Sequence, residues 1–167
     1  MLEDITLKCR GVVTGKAAGE ALVTTQSISF WGGIDPLKGL VIDRKNELFG
    51  KSIIGKVLVF PFGKGSSTSS AVFLEAVRRK TSPAAIINVE TEPLLVVGAI
   101  LAEKLYGRSI PIVDRVSVDP SKVIRNGDHL EVDAELGIIR LTRMKGRNDE
   151  TALFNRSECS SRIQSLE

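Results

Sequence analysis

Aromatic residues are scarce: Phe, Trp and Tyr make up 5% of the 167 residues, with a single Trp and a single Tyr. Few side chains can therefore stack on bases, and no RNP-like or zinc-knuckle pattern appears, so no nucleic-acid partner is expected. A dominant charge is missing too, since 23 basic residues face 20 acidic ones, and the net +3 is spread along the chain. That balance suits a small acidic metabolite better than a polyanion. The two cysteines, Cys9 and Cys159, stand near opposite ends, which excludes a disulfide framework and a self-contained metal site. Cys9 reads as a small buried apolar residue and Cys159 as an incidental thiol. The one histidine, His129, opens a strand in Gly127-Asp128-His129-Leu130-Glu131 and is expected to face solvent; a Ser-His-Asp hydrolase is excluded with it. No apolar run approaches the roughly eighteen residues of a membrane span. Met1-Leu2-Glu3-Asp4 is acidic where a secretory signal needs a basic region. A cytoplasmic protein without a membrane partner is the expectation.

What is present is enough apolar sequence for one core. Residues 1–144 read as one domain and 145–167 as a polar, flexible tail, in which Ala152-Leu153-Phe154 are among the few apolar residues. From Ile5 to Thr25 the pattern predicts two strands around Thr14-Gly15-Lys16. Ser27 to Asp43 is glycine-rich and irregular. Lys56-Val57-Leu58-Val59-Phe60 is a buried strand ended by Pro61, and Ala71 to Arg79 a helix with basic residues in its last turn. Ala84 to Val89 repeats the strand, and Pro93 opens a helix to Tyr106 that Gly107 closes. Ile110 to Val113 is the next buried strand. These crossover units imply a parallel component. Leu130, Val132 and Ala134 then alternate with acidic residues before Gly137, and Ile138 to Leu141 form the hairpin partner. The sum is a mixed α/β domain with a strong antiparallel share.

The chemistry-bearing stretch is Gly63-Lys64-Gly65-Ser66-Ser67-Thr68-Ser69-Ser70, at a strand-to-helix junction. Free backbone N–H groups and the helix dipole favour an anion there. Lys64 lies between the glycines, so the spacing is not that of a nucleotide-binding P-loop. One hydroxyl is expected to cap the helix, and five in succession exceed that need. A serine can take a proton only when N–H donors and a cation stabilise its oxygen; the loop supplies the donors and Lys64 the charge.

Ile28-Ser29-Phe30-Trp31-Gly32-Gly33-Ile34-Asp35-Pro36, Val41-Ile42-Asp43-Arg44, Gly55-Lys56-Val57-Leu58-Val59, Gly63-Lys64-Gly65-Ser66-Ser67, Glu92-Pro93 and Gly98-Ala99-Ile100 occur in this order. Together they resemble the small, or swivel, subunit of the aconitase X dehydratases, from about Cys9 to Leu141. The resemblance implies a swivelling β/β/α domain like the mobile domain of aconitase, with a mixed sheet or barrel and two main helices. It implies a hydro-lyase working as a complex with a large subunit whose own cysteines hold an iron–sulfur or iron centre. Members of that family remove water from β-hydroxy carboxylates, either 5-phosphomevalonate or cis-3-hydroxy-L-proline. The serine run and the Phe-Trp-Gly-Gly stretch look nearer the hydroxyproline type. By position in the motif Ser66 matches the proton acceptor, with Ser67 the neighbour that could displace it. Lys64, Gly65, Ser67 and Thr68 would meet the substrate carboxylate; many relatives have Arg at the position of Lys64, which puts bidentate recognition in doubt. Asp35 and Arg44 are further substrate or large-subunit contacts, and Trp31 is a packing residue, at the subunit interface or in the core. The alternative to a split enzyme is a non-catalytic, anion- or partner-binding swivel module. A phosphohistidine carrier is excluded, because Thr68-Ser69-Ser70-Ala71 lacks the histidine such domains carry.

Overall fold

In the computed structural model, residues 2–144 are described; the expectations for the tail, Cys159 included, lie outside them. The chain runs β1 (Leu2–Lys8), β2 (Arg10–Val13), β3 (Lys16–Val23), a single turn α1 (Phe30–Gly33) in which Trp31 and Gly32 are not helical, β4 (Ile34–Asp35), β5 (Leu40–Val41), β6 (Val57–Val59), α2 (Ser67–Arg79), β7 (Ala85–Ile87), α3 (Pro93–Tyr106), β8 (Ile112–Asp114), the short α4 (Pro120–Val123), β9 (His129–Asp133) and β10 (Ile138–Met144).

Eight strands form one sheet in the order β1-β10-β9-β3-β6-β7-β8-β2. β3, β6, β7 and β8 are parallel to their neighbours within that run, while β1, β10 and β9 are antiparallel, as is β2 on β8. The mixed sheet and two main helices match the expectation. The count of strands before Thr25 does not: three stand where two are expected. Their arrangement explains the shape. β1 and β2 lie at opposite edges of the sheet yet only Cys9 separates them in sequence, so the sheet must curl round until its edges nearly meet. The Cys9 N–H donates to Gly137 O and the Ser117 N–H to Lys8 O across that corner. Cys9 is half-buried, and burial, then Asp114 and Asp133, pushes its thiol up to about 11. It is inert as a nucleophile at neutral pH.

β3 is the hinge of the sheet. Its first half pairs with β9 and its second half with β6, as Lys16↔Asp133 gives way to Ala21↔Val57. A side chain at Gly19 would lie 2.5 Å from Gly55 O, so this crossing admits only glycine.

Side-chain alternation then sorts the core into two layers. Val57 and Val59 of β6, with Ile87, Val113, Leu130, Val132, Ile139 and Leu141, fill the inside of the curl. Leu58 and Phe60 alternate with them and, with Ile86 and Ile112, meet Phe73 and Val77 of α2 and Leu95, Ala99 and Ala102 of α3. Both faces of the parallel strands are thus covered, which is why they read as unbroken apolar runs. The two helices approach closely at Gly98, where a side chain would meet Ser70 O and the Phe73 ring at 3.1 Å.

α3 begins at Pro93 and ends before Gly107 as expected. α2 begins four residues earlier than the expected Ala71, because Ser66 caps it. Ser67 to Ser70 are therefore helical, not loop.

Candidate functional site

Three connections leave the carboxyl ends of parallel strands on the same edge of the sheet. They are residues 24–56 after β3, 60–66 after β6 and 88–92 after β7. Crevices at such edges are where α/β sheets bind ligands. Backbone bonds join the first two: the Ile28 N–H donates to Phe62 O at 3.3 Å and the Lys64 N–H to Ile28 O at 3.0 Å. The fully buried Asn88 ties the third to the second by donating from Nδ2 to Phe60 O at 2.9 Å.

The five hydroxyls have separate jobs. Ser66 is the N-cap of α2, its Oγ accepting from the Thr68 N–H at 3.3 Å. Ser69 is 3% exposed, and its Oγ accepts from the Trp31 N–H at 3.3 Å. Ser70 donates to Leu94 O of α3 at 2.5 Å. Ser67 and Thr68 are exposed, and among the described residues their hydroxyls make no hydrogen bond. Capping and tertiary packing thus use three of the five. The two that remain lie in the first turn of α2, where N–H groups and the dipole face outward.

The glycines of the loop are explained by a residue that the candidate set omits. Glu92 caps α3, its Oε1 accepting from the Leu94 N–H at 3.2 Å. Its side chain lies against the loop, so a Cβ on Gly63 would meet its Cβ at 3.2 Å and one on Gly65 its Oε1 at 3.2 Å. The sequence signal was the Glu92-Pro93 pair opening a helix; what it could not show was that this cap touches the other loop.

Glu92 is held by its neighbour. The Thr91 N–H donates to Asp114 Oδ2 at 2.9 Å, and Arg10 grips the same carboxylate with Nε and Nη2, both at 2.8 Å. Burial pushes the Asp114 carboxyl up, but the Arg10 bond and the Thr91 N–H outweigh it and hold the group below the ordinary carboxylate range.

The remaining candidates fall unevenly. Lys64 is exposed beside Ser66, and Gly65 is pressed by Glu92. Arg44 is exposed between Asp43 and Lys45, which share a cavity wall with Lys64. Asp35 is not brought to the loop. Its Oδ1 accepts from the Leu37 N–H at 2.8 Å, closing a turn, and the next residue, Pro36, accepts through its carbonyl from Thr81 Oγ1 at 2.6 Å. Thr81 follows the C-terminus of α2, about 20 Å along the helix from its N-cap. Within this chain it is Phe30 that packs, meeting the Phe73 ring edge-on with centroids 5.2 Å apart, while Trp31 is 59% exposed and lies outside the core. His129 is exposed at the start of β9, as expected.

Among the described residues no three His, Cys, Asp or Glu side chains gather as a metal-holding group, and no helix is long and apolar enough to cross a membrane.

A family profile described as the aconitase X swivel domain matches residues 6–141. The phosphomevalonate dehydratase small subunit of Methanosarcina acetivorans is 44% identical over 146 residues, covering 87% of this chain and 97% of that protein. The cis-3-hydroxy-L-proline dehydratase of Pseudomonas aeruginosa is 47% identical over 103 residues, which are 62% of this chain and 18% of that longer one. Among solved structures, holo-form aconitase X from Thermococcus kodakaraensis superposes with a TM-score of 0.74 at 39% identity, over 82% of this chain and 98% of that one. The curled sheet with its two covering helices is therefore a swivel domain, and the chain belongs to the aconitase X swivel-domain family.

Proposed function

We propose that this chain is the small subunit of a two-subunit aconitase X-type dehydratase, a hydro-lyase that eliminates water from a β-hydroxy carboxylate, with Ser66 as the proton acceptor. The observation that carries the reading is the position of Ser66 Oγ. It stands at the N-terminus of a 13-residue helix with the Thr68 N–H already on it, where backbone dipoles favour negative charge on oxygen. The proton α to the substrate carboxylate passes to that oxygen in its alkoxide form, the C–H electron pair becomes the double bond, and the β hydroxyl leaves as hydroxide. In this reading the exposed Ser67, Thr68 and Lys64 hold the substrate carboxylate. Gly65 lets the loop lie close under Glu92. Arg44 lies on the neighbouring segment, whereas Asp35 serves its own turn.

Iron does not fit this chain's own donor set. Cys9 is half-buried, protonated at neutral pH and bonded into the β1–β2 corner. The iron or iron–sulfur centre, and the leaving hydroxyl with it, belong to the large partner subunit.

The experiment is anaerobic co-expression with a large aconitase X subunit and assay of 5-phosphomevalonate and cis-3-hydroxy-L-proline. The expected result is a stable hetero-pair that dehydrates one of them. A pair that forms and dehydrates neither would overturn the reading.

A further inference from the structure

Gly63 and Gly65 flank Lys64 on the approach to Ser66, yet neither has the left-handed backbone that makes glycine necessary. Space is the reason instead. At both positions the three heavy atoms nearest to an added Cβ all belong to Glu92. They are its Cβ, Oε2 and Cγ at 3.2, 3.4 and 3.7 Å for Gly63, and its Oε1, Cδ and Cγ at 3.2, 3.7 and 4.0 Å for Gly65. The loop is fitted along this one side chain, and little else holds it there. The Lys64 N–H donates to Ile28 O at 3.0 Å, but Gly65 has no backbone hydrogen-bond partner among the described residues. The 88–92 connection, by contrast, is tied down along its length. The Val89 N–H donates to Pro61 O and the Arg115 N–H to Val89 O, both at 3.1 Å, in addition to the bonds of Asn88, Thr91 and Glu92. The fixed element carries Glu92, and the adjustable one leads into Ser66.

We infer that Glu92 is a positioning residue for the dehydration: its side chain is the wall against which Gly63 and Gly65 lie, and it thereby sets where Ser66 Oγ stands relative to the α carbon of the substrate. The inference rests on the serine-base reading. Glu92 acts here by occupying space. Its Oε1 is already engaged by the Leu94 N–H, and carbon atoms form the wall as much as oxygens do, so the loop does not need the negative charge. A misplacement of about 1 Å can cost about a hundredfold in rate. Removing the wall should therefore lower kcat, while the exposed groups that bind the substrate, and KM with them, stay nearly as they are. A methyl group on Gly65 should act from the other side, because the loop or Glu92 must then give way. Both faults lie at one contact, so they should offset each other when combined.

Steady-state kinetics and thermal melts of assembled pairs test this, with Glu92→Ser, Glu92→Gln, Gly65→Ala and the double variant Gly65→Ala/Glu92→Ser. Serine is among the best helix caps, so Glu92→Ser keeps the start of α3 and removes the wall. Glutamine keeps the wall and the cap acceptor and removes the charge. At a temperature well below every melt, kcat should fall about tenfold or more in Glu92→Ser and in Gly65→Ala, with KM within about threefold. Glu92→Gln should keep kcat within about threefold of the wild type and keep its pH profile. The double variant should be at least about threefold faster than Gly65→Ala. A kcat near that of the wild type in Glu92→Ser overturns the inference. So does a loss in Glu92→Gln as large as in Glu92→Ser, or a shifted pH profile there, either of which gives the carboxylate a role through its charge. A double variant no faster than Gly65→Ala shows that the two residues act apart and also overturns it. The serine reading fails separately, through an active Ser66→Ala pair. If no pair is active, backbone amide relaxation of the isotopically labelled full chain decides. Gly65 and Ser66 should gain motion in Glu92→Ser and not in Glu92→Gln, and equal rigidity in wild type and Glu92→Ser overturns the inference.

Discussion

Replacing Ser66 by Asn is expected to leave the hetero-pair folded and assembled while lowering its dehydration rate by about a thousandfold, within the range for loss of a positioned general base. Two roles meet at this residue, and the substitution separates them. Asn caps helices about as well as Ser, so its carbonyl oxygen can replace Ser66 Oγ as acceptor for the Thr68 N–H. It has no hydroxyl to hold and release a proton. Ser66→Ala removes both roles, but the cap is worth only about 1 kcal/mol, whereas a thousandfold in rate is about 4 kcal/mol. Stability alone therefore cannot account for the loss expected in either variant. Thermal melts and kcat should be measured on the same preparations. A Ser66→Asn enzyme with activity near that of the wild type would reduce Ser66 to a helix cap.

Removing the Asp114 carboxylate is expected to cost about 2–4 kcal/mol, below the upper range for a wholly buried pair because one partner reaches water. Asp114 is fully buried, while the Arg10 side chain is 49% exposed and can rehydrate. The part-buried Thr91 N–H loses its partner as well. Among the described residues it donates to Asp114 Oδ2 alone, and an orphaned donor costs free energy to the extent that it is kept from water. Three parts of the chain lose their common anchor in Asp114→Ala: edge strand β2, strand β8 and the Thr91-Glu92 connection that presses on Gly63 and Gly65. Urea unfolding should show a lower midpoint with an unchanged slope, and a shift worth less than about 0.5 kcal/mol would contradict the account. The same bonds set a pH dependence. Because the folded state holds this carboxyl below its ordinary range, the contribution is complete above about pH 4–5 and is lost as pH falls through the lower folded value. Asp114→Ala should flatten that part of the stability profile.

Local signals carried the parts of this fold whose partners are close in sequence. Pro93 and Gly107 bracket α3 because a fixed φ suits the first turn and a left-handed residue suits the end; Gly107 has φ 63°. The β9–β10 hairpin follows from alternation up to Gly137, which has φ 66°. The break at Cys9 was hidden because nothing in Lys8-Cys9-Arg10 marks a turn. It exists because β1 must pair with β10 and β2 with β8, in registers such as Leu7↔Ile139 and Arg10↔Asp114. The start of α2 was hidden for a different reason: a run of Ser and Thr has poor helix propensity. Ser69 and Ser70 are helical because their hydroxyls bond Trp31 and Leu94, contacts that local sequence does not encode. At the site, Ser66 was legible because glycine, hydroxyl and strand-to-helix junction coincide. Glu92 was not, since it acts on a loop distant in sequence.

The central claim concerns which oxygen takes the proton, and one comparison addresses it most directly. Dehydration by pairs carrying Ser66→Ala and Ser67→Ala should be measured side by side, on whichever substrate the wild-type pair accepts. Ser66 Oγ is fixed by the Thr68 N–H, and Ser67 is exposed in the first turn. The account predicts a fall of about a thousandfold for Ser66→Ala and of no more than about tenfold for Ser67→Ala, which loses one substrate hydrogen bond. The reverse order, or an undiminished rate in Ser66→Ala, would contradict it.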